Sequence, residues 1–508
     1  MKKRALAWLL ALLTMLALTA CGGQTTQDDN SSRTDVVIAQ TADPSSLDPH
    51  YCYELTGMRI YRNMFESLLK SNADGTLSPC LAESYEISEG GMVYTFKLRQ
   101  DVTFQNGDPM TAADVKYSYD RACGSAYCAE AAEPIDHTDI IDNYTVAVTM
   151  KYPYAAQLPF FATTYLAIVN QKVVDALGDN FGIGPEGAGT GPYTFSNWTK
   201  GSQVVMVRNE KYWGDLPAMA QVTYRCITEA GAGDIAVETG DIDVFLEPST
   251  ADIPALKENT SLAVYQGESN YIEYLAFNVT VAPFDNLKVR QAVAKCFDKR
   301  DVVTIAVDDL GGVLSASYTN ATLFGANTDI PLIEKDIEGA KQLLAEAGYP
   351  DGFTCSITAI DGARKKSAQV IQSGLKEIGI DAQIDIMESG AFYDAAGKGN
   401  VEMCLGGMTT LAADADPLLF CCFSSQNIGT YNLSQYSNAE IDNLITESRA
   451  NSDTESRRQQ LKNIQTIVSD DLPSVPLYLR SVLIVANANL KGVEVEPNNI
   501  LDVAKLSW

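Results

Sequence analysis

The residue whose chemistry is most sharply placed is Cys21, closing the run Leu18-Thr19-Ala20-Cys21-Gly22. Small residues before a cysteine admit a signal peptidase, and the thiol can take a diacylglyceryl group before cleavage, so this spacing has the pattern of a lipobox. The remaining chemistry-bearing types are thinly spread. Ten further cysteines follow, with no Cys-x-x-Cys pair, and His50 and His137 are the two histidines of the chain. Zinc-site spacing is therefore absent. No Gly-x-Ser-x-Gly and no His-Glu-x-x-His occurs, and two histidines are a poor supply for a triad, which argues against a hydrolase. The ten cysteines are read as buried structural thiols. Cys123 and Cys128 are the pair that a disulfide would join if one formed.

Cys21 is positioned by what precedes it. Met1-Lys2-Lys3-Arg4 and the apolar run Ala5 to Ala20 form a positive n-region and an h-region too short to span a membrane as a mature helix, which is an export signal. From Gly22 to Arg33 no apolar residue occurs, so this stretch reads as a flexible tether. Two or three acyl chains on Cys21 would hold the body at a membrane surface more durably than one. The body, from near Asp35, is long enough for two or three domains, and an apolar content of 46% suits packed globules. A formal net charge of −28 excludes a nucleic-acid partner, which needs concentrated Lys and Arg.

Along the body, Val36–Ala39 reads as a strand and Met58–Leu69 as a helix, from apolar residues at helical spacing. Tyr85–Ser88 and Met92–Arg99 alternate around Glu89-Gly90-Gly91 as a hairpin. Thr111, with Asp114 three residues on, reads as a helix cap, and Tyr144–Met150 as a strand. Helical periods follow at 288–297, 336–347, 365–378, 438–450 and 455–469, with strand patterns at 353–360 and 380–387. The alternation without a fixed repeat predicts an α/β fold.

These segments carry a family resemblance. Pro79–Glu86 (Pro-Cys-Leu-Ala-Glu-Ser-Tyr-Glu), Tyr94–Val115, Gly189–Phe195 (Gly-Thr-Gly-Pro-Tyr-Thr-Phe), Arg208–Gly214 (Arg-Asn-Glu-Lys-Tyr-Trp-Gly), Pro283–Val293, Ala340–Tyr349, Tyr436–Asp442 and Asp471–Tyr478 closely resemble, in family order, the peptide/nickel class (family 5) of ABC-importer solute-binding proteins. Most of them also have a structural reading. Gly189-Thr-Gly-Pro is a turn whose glycines permit positive φ, and Tyr212-Trp213 is an aromatic clamp.

The resemblance implies a two-lobed, type II binding-protein fold of the large class, with a hinge of two crossing strands near residues 275 and 477. On this division 1–20 is the signal peptide and 21–34 the lipidated tether. Residues 35–70, 188–275 and 477–508 form the core of lobe one, 71–187 its inserted domain, and 276–476 lobe two. The implied function is capture of a small solute, a peptide first, between closing lobes, and delivery to permease and ATPase subunits of an importer. The protein would act as a monomer held to the extracytoplasmic face by its lipid, with no cofactor and no metal. A nickel chelate, an opine, an oligosaccharide or a sensing role stays open.

The resemblance also nominates site residues. In peptide binders of the family an acid for the ligand's amino group lies in a segment resembling Gly-Trp-x-x-Asp-x-x-Asp-Pro. Here Gly406–Pro417 lacks the Trp, Ala413 stands four residues before Pro417, and Asp414 is one residue out of register. Asp414 and Asp416 are the candidates for the amino group, or alternatively caps of the element at Pro417. Dipeptide binders carry an Arg in the strand before the helix at Lys365; this chain has none at 356–360, and Arg364 is the substitute candidate. Tyr51, Tyr53 and Tyr271 lie on segments that resemble cleft-lining ones.

Overall fold

The computed structural model describes residues 33–508 apart from 73, 74 and 89, so the export signal, Cys21 and the tether to residue 32 lie outside the described residues. Two lobes of α/β architecture share one eleven-stranded sheet. Its spine is a pair of long strands, Leu262–Phe277 and Ser474–Asn487, antiparallel from Leu262 opposite Asn487 to Ala276 opposite Ser474. At one end the ribbon is flanked by Val244–Phe245, then Asp35–Gln40, Gln221–Cys226, Gln203–Arg208 and Tyr193–Thr199. At the other it is flanked by Met403–Met408, Thr354–Ala359 and Asp381–Ile386. The ladder between the long strands is interrupted between Glu268 and Ile272.

Alternation along the strand Leu262–Phe277 builds both cores of lobe two. Ile272, Tyr274 and Ala276 enter one, while Leu275 and Phe277 enter the other. This follows from the period of two, which sends successive side chains to opposite faces. In lobe one Val36 and Ile38 enter the larger core and Ala39 the smaller, by the same rule. A second, four-stranded antiparallel sheet (Ala82–Ile87, Val93–Leu98, Thr145–Met150, Ile135–Asp142) adds its buried face to the lobe-one core.

Cap chemistry sets several boundaries. Helix Ala112–Cys123 starts at a capping box in which Asp114 accepts the Thr111 N–H at 2.9 Å. Helix Ile337–Glu346 starts where Asp336 accepts the Gly339 N–H at 2.9 Å. One expectation fails: the helix expected over 58–69 covers Leu55–Tyr61, and Leu69–Ser71 is already a strand. Asn63 ends it by donating Nδ2 to the Arg59 and Ile60 carbonyls, which competes with continuation of the backbone ladder. Gly189 and Gly191 do not take positive φ. A Cβ there would meet the Met64 oxygen at 1.9 Å and the Asn63 oxygen at 2.6 Å, so close backbone approach is what requires glycine. The ten described cysteines are free. Cys123 is exposed and Cys128 buried, each with its Sγ directed at a backbone carbonyl, so the pair named for a disulfide is unbridged here.

Candidate ligand-binding cleft

The strands Thr354–Ala359 and Met403–Met408 run parallel, so the segments that follow their carboxyl ends, 360–364 and 409–416, emerge on the same edge of lobe two. Ligands of open α/β sheets bind outside such edges. Beside it lies a cavity of about 110 Å³ whose wall is drawn from separate parts of the chain. Met58, Arg62 and Thr163 belong to lobe one, Glu496–Asn498 to the returning tail, Asn270 to the long hinge strand, and Thr322, Leu411 and Ala413 to lobe two. A larger cavity of about 490 Å³ continues between the inserted domain, through Tyr85, Tyr94 and Tyr154, and lobe two, through Phe324, Asp414 and Arg457. Gly75, Thr322, Leu323 and Ala413 border both. Ligand pockets commonly span roughly 300–1,000 Å³, so the larger cavity alone reaches that size.

The two lobes touch directly beside these spaces. The Tyr154 hydroxyl donates to Asp416 Oδ2 at 3.2 Å, and the Ala155 N–H to the Arg449 carbonyl at 2.5 Å. Arg449 lies 5.0 Å from the Tyr154 ring centroid. In the smaller cavity the charged lining residues neutralise one another, Arg62 to Glu496 at 2.7 Å. The Asn270 backbone N–H donates to the Pro497 carbonyl at 2.9 Å. Its carboxamide makes no hydrogen bond among the described residues, and Oδ1 is buried without a partner.

The structure does not assemble the six nominated residues into one site. Asp414 lines the larger cavity but is held two-fold by Arg457, Nη1 to Oδ2 at 2.6 Å and Nη2 to Oδ1 at 2.9 Å. Burial opposes the Arg457 charge, yet Asp414 raises its pKa above the ordinary arginine value. Asp416 is neutralised by Arg449, at 3.0 Å from Nε and 2.9 Å from Nη2. In this arrangement each of the two acids has its charge paired with an arginine of the same lobe. Asp414 Oδ1 accepts the Asp416 N–H at 2.9 Å, just ahead of helix Asp416–Phe423, whose N-cap position is Ala415.

Arg364 is likewise engaged within the protein. It donates to Glu273 at 2.9 Å, to the Tyr393 hydroxyl at 3.1 Å and to the Tyr271 hydroxyl at 3.2 Å. Glu273 is shared with Arg480, whose guanidinium stacks 3.9 Å from the Tyr271 ring centroid. A Cβ on Gly407 would meet Arg364 and Tyr271 at 2.4 and 2.5 Å, so that glycine makes room for the cluster. Tyr51 and Tyr53 are 44% and 59% exposed, pack against Tyr127 and line neither cavity. Asn270, Arg62, Glu496 and Tyr154 were not foreseen. Each is unremarkable in its own segment, and Asn270 alone adjoins a nominated residue.

Among the described residues no group of three or more His, Cys, Asp or Glu side chains could hold a metal ion, and no helix is long and apolar enough to cross a membrane. Comparison with known proteins gives a consistent picture. The profile of the bacterial extracellular solute-binding proteins, family 5 Middle, matches residues 76–430. The glutathione-binding protein GsiB of Salmonella paratyphi A is 28% identical over 481 residues, covering 91% of this chain and 92% of the relative. The structure of HbpA2 from Haemophilus parasuis superposes with a TM-score of 0.87 at 25% identity, covering 93% of this chain and 99% of that one. DppA from Helicobacter pylori, in complex with the peptide STSA, superposes with a TM-score of 0.75 at 26% identity, covering 93% and 97%.

Proposed function

Because the chain belongs to the bacterial extracellular solute-binding proteins of family 5, we propose that it is the lipid-anchored binding component of an ABC importer and that its solute is a short peptide held between the lobes. The observation that carries this reading is the pair of adjoining cavities, walled together by lobe one with its inserted domain, the hinge strand and lobe two. A ligand that touches all three stabilises the closed arrangement over any open one by its extra contacts, and that difference is what a membrane permease can read. Engagement of Asp414 and Asp416 by arginines favours recognition through backbone amides and hydrogen bonds rather than an acid for the amino terminus. The glutathione named for one relative and the peptide bound to another are both chains of amides.

The test is thermal shift of the purified protein against di- to pentapeptides, glutathione, nickel–histidine, opines and oligosaccharides. A ligand binding the native state alone at about 100 times its dissociation constant adds about 2.7 kcal/mol. Stabilisation by peptides supports the proposal, and stabilisation by a sugar, opine or chelate alone refutes its substrate class. Anchoring is tested separately: Cys21→Ser is expected to leave the protein unacylated and out of the membrane fraction.

A further inference from the structure

Asn270 stands where the hinge ladder is interrupted. Glu268 pairs with Ser481 and Ile272 with Leu479, so residues 269–271 face the single residue Arg480. An excess of residues on one strand bends it and re-aims a side chain. Here the backbone N–H of Asn270 leaves the ladder for the Pro497 carbonyl, and the residue stands in the wall of the interlobe cavity. The residue is 6% exposed, yet its carboxamide is unspent among the described residues and its Oδ1 lacks any donor. Buried polar atoms are nearly always paired; Oδ1 presents almost no open surface in this arrangement, so a partner that enters the cavity reaches it when the carboxamide turns toward that space.

Neighbouring polar side chains do not supply that partner. Arg62 is spent on Glu496, Asn498 Oδ1 accepts the Ile500 N–H at 3.1 Å, and Thr163 Oγ1 donates to the Phe160 carbonyl at 2.8 Å. Thr322 Oγ1 donates to Asn320 Oδ1 at 3.0 Å. A carboxamide offers an acceptor and a donor side by side in one plane, and turning it over exchanges the two without losing either. The partner that satisfies both at once has an N–H and a C=O along one edge, as one residue of an extended peptide does. A carboxylate or phosphate alone would leave Oδ1 facing another acceptor.

Resting on the peptide reading above, we propose that Asn270 recognises a backbone amide of the ligand, Oδ1 accepting a peptide N–H and Nδ2 donating to a peptide carbonyl. The substrate class is then a chain of secondary amides. The contact also places the ligand on the strand that joins the lobes, so that it bears on closure as well as affinity.

The experiment is calorimetry on the full mature chain with tri-alanine and glutathione, and with analogues of each in which one amide N–H is replaced by an ester oxygen. Wild-type protein is expected to bind one ester analogue about tenfold more weakly than its parent peptide. In Asn270→Ala the parent should weaken by about the same factor and the ester penalty should vanish. Asn270→Asp keeps the shape but removes the donor, and the same tenfold loss with an unchanged melting temperature separates lost recognition from lost fold. Peptide binding within twofold of wild type in both variants, or an ester penalty that persists in Asn270→Ala, overturns the assignment and leaves the transport reading intact. A folded wild-type protein that binds neither peptide overturns the peptide reading, and the assignment falls with it.

Discussion

Replacement of Asp414 by Asn separates the two roles open to that carboxylate. The side chains of Asp414 and Arg457 are 1% and 6% exposed and share two hydrogen bonds of 2.6 and 2.9 Å. Asn keeps the volume and can still accept the Asp416 N–H, but it leaves the Arg457 charge buried with no counter-charge. Removing one member of such a pair costs about 3–5 kcal/mol. Replacing both, as Asp414→Leu with Arg457→Met, removes the uncompensated charge together with its partner and is expected to restore most of that loss, because burying two ions in the first place repays little. The assay is urea unfolding followed by far-UV circular dichroism, with peptide affinity measured in parallel on the folded variants. The expected result is a lowered midpoint for the single variant, recovery in the double, and peptide affinity within about threefold of wild type throughout. An unchanged midpoint combined with a large loss of affinity for peptides with a free amino terminus, but not for acetylated ones, would falsify the internal-pair account and return Asp414 to the ligand.

Two further outcomes follow from buried groups. His50 is fully enclosed, its Nε2 3.0 Å from the Ala167 carbonyl and its Nδ1 3.0 Å from Arg121, and burial, with the Arg121 charge, lowers its pKa to about 4. Its folded pKa lies below the unfolded 6.5, so the unfolded chain takes up the proton first as pH falls. Stability present above pH 6.5 is lost on descending towards 4, by about 3 kcal/mol at 1.36 kcal/mol per unit. The chain has two histidines, so proton NMR resolves the matter: the His137 ring, hydrogen-bonded to Asp136, should titrate above its usual value, and a His50 midpoint near 6.5 would contradict the burial argument. Tyr154→Phe deletes the hydroxyl that reaches Asp416 across the lobes, and a bond to a charged acceptor contributes about 1.5–3 kcal/mol. Small-angle scattering of the ligand-free variant should show a larger radius of gyration and calorimetry a weaker peptide affinity, and no change in either would remove this contact from the closure mechanism.

The fold was legible where one chemical signal acts locally. Thr111 announces its helix because a cap needs only a side-chain oxygen within three residues of the N–H it accepts. The strand expected over 380–387 is found as Asp381–Ile386. The helix expected over 58–69 was too long because Met58, Tyr61, Phe65, Leu68 and Leu69 are all buried, and continuous burial mimics a helical period after the helix has ended. The site was much less legible. Asp414 and Asp416 were nominated for a ligand's amino group or as caps, but their partners Arg457 and Arg449 lie 43 and 33 residues away, a separation that carries no spacing signal. Asn270 draws its meaning from an interruption in pairing with a strand some 200 residues later and from a tail that returns to cover it, and both exist only in the folded chain.

The sheet also dictates an order of assembly. The early strand Asp35–Gln40 pairs with Gln221–Cys226 and with Val244–Phe245, and the latter is completed by Ser474–Asn487. The Trp508 indole donates to the Asp35 carbonyl at 2.9 Å, a sequence separation of 473 residues. Pairings this distant form slowly, because the intervening chain must be brought together before any contact rewards it. The main sheet of lobe one is therefore completed only once Ser474–Asn487 and the terminal Trp508 have been made. A translocation pore that accepts only unfolded chains would find in this topology a substrate that delays its own folding, whereas a design with sequential, local strands would be at risk of jamming the pore half-folded.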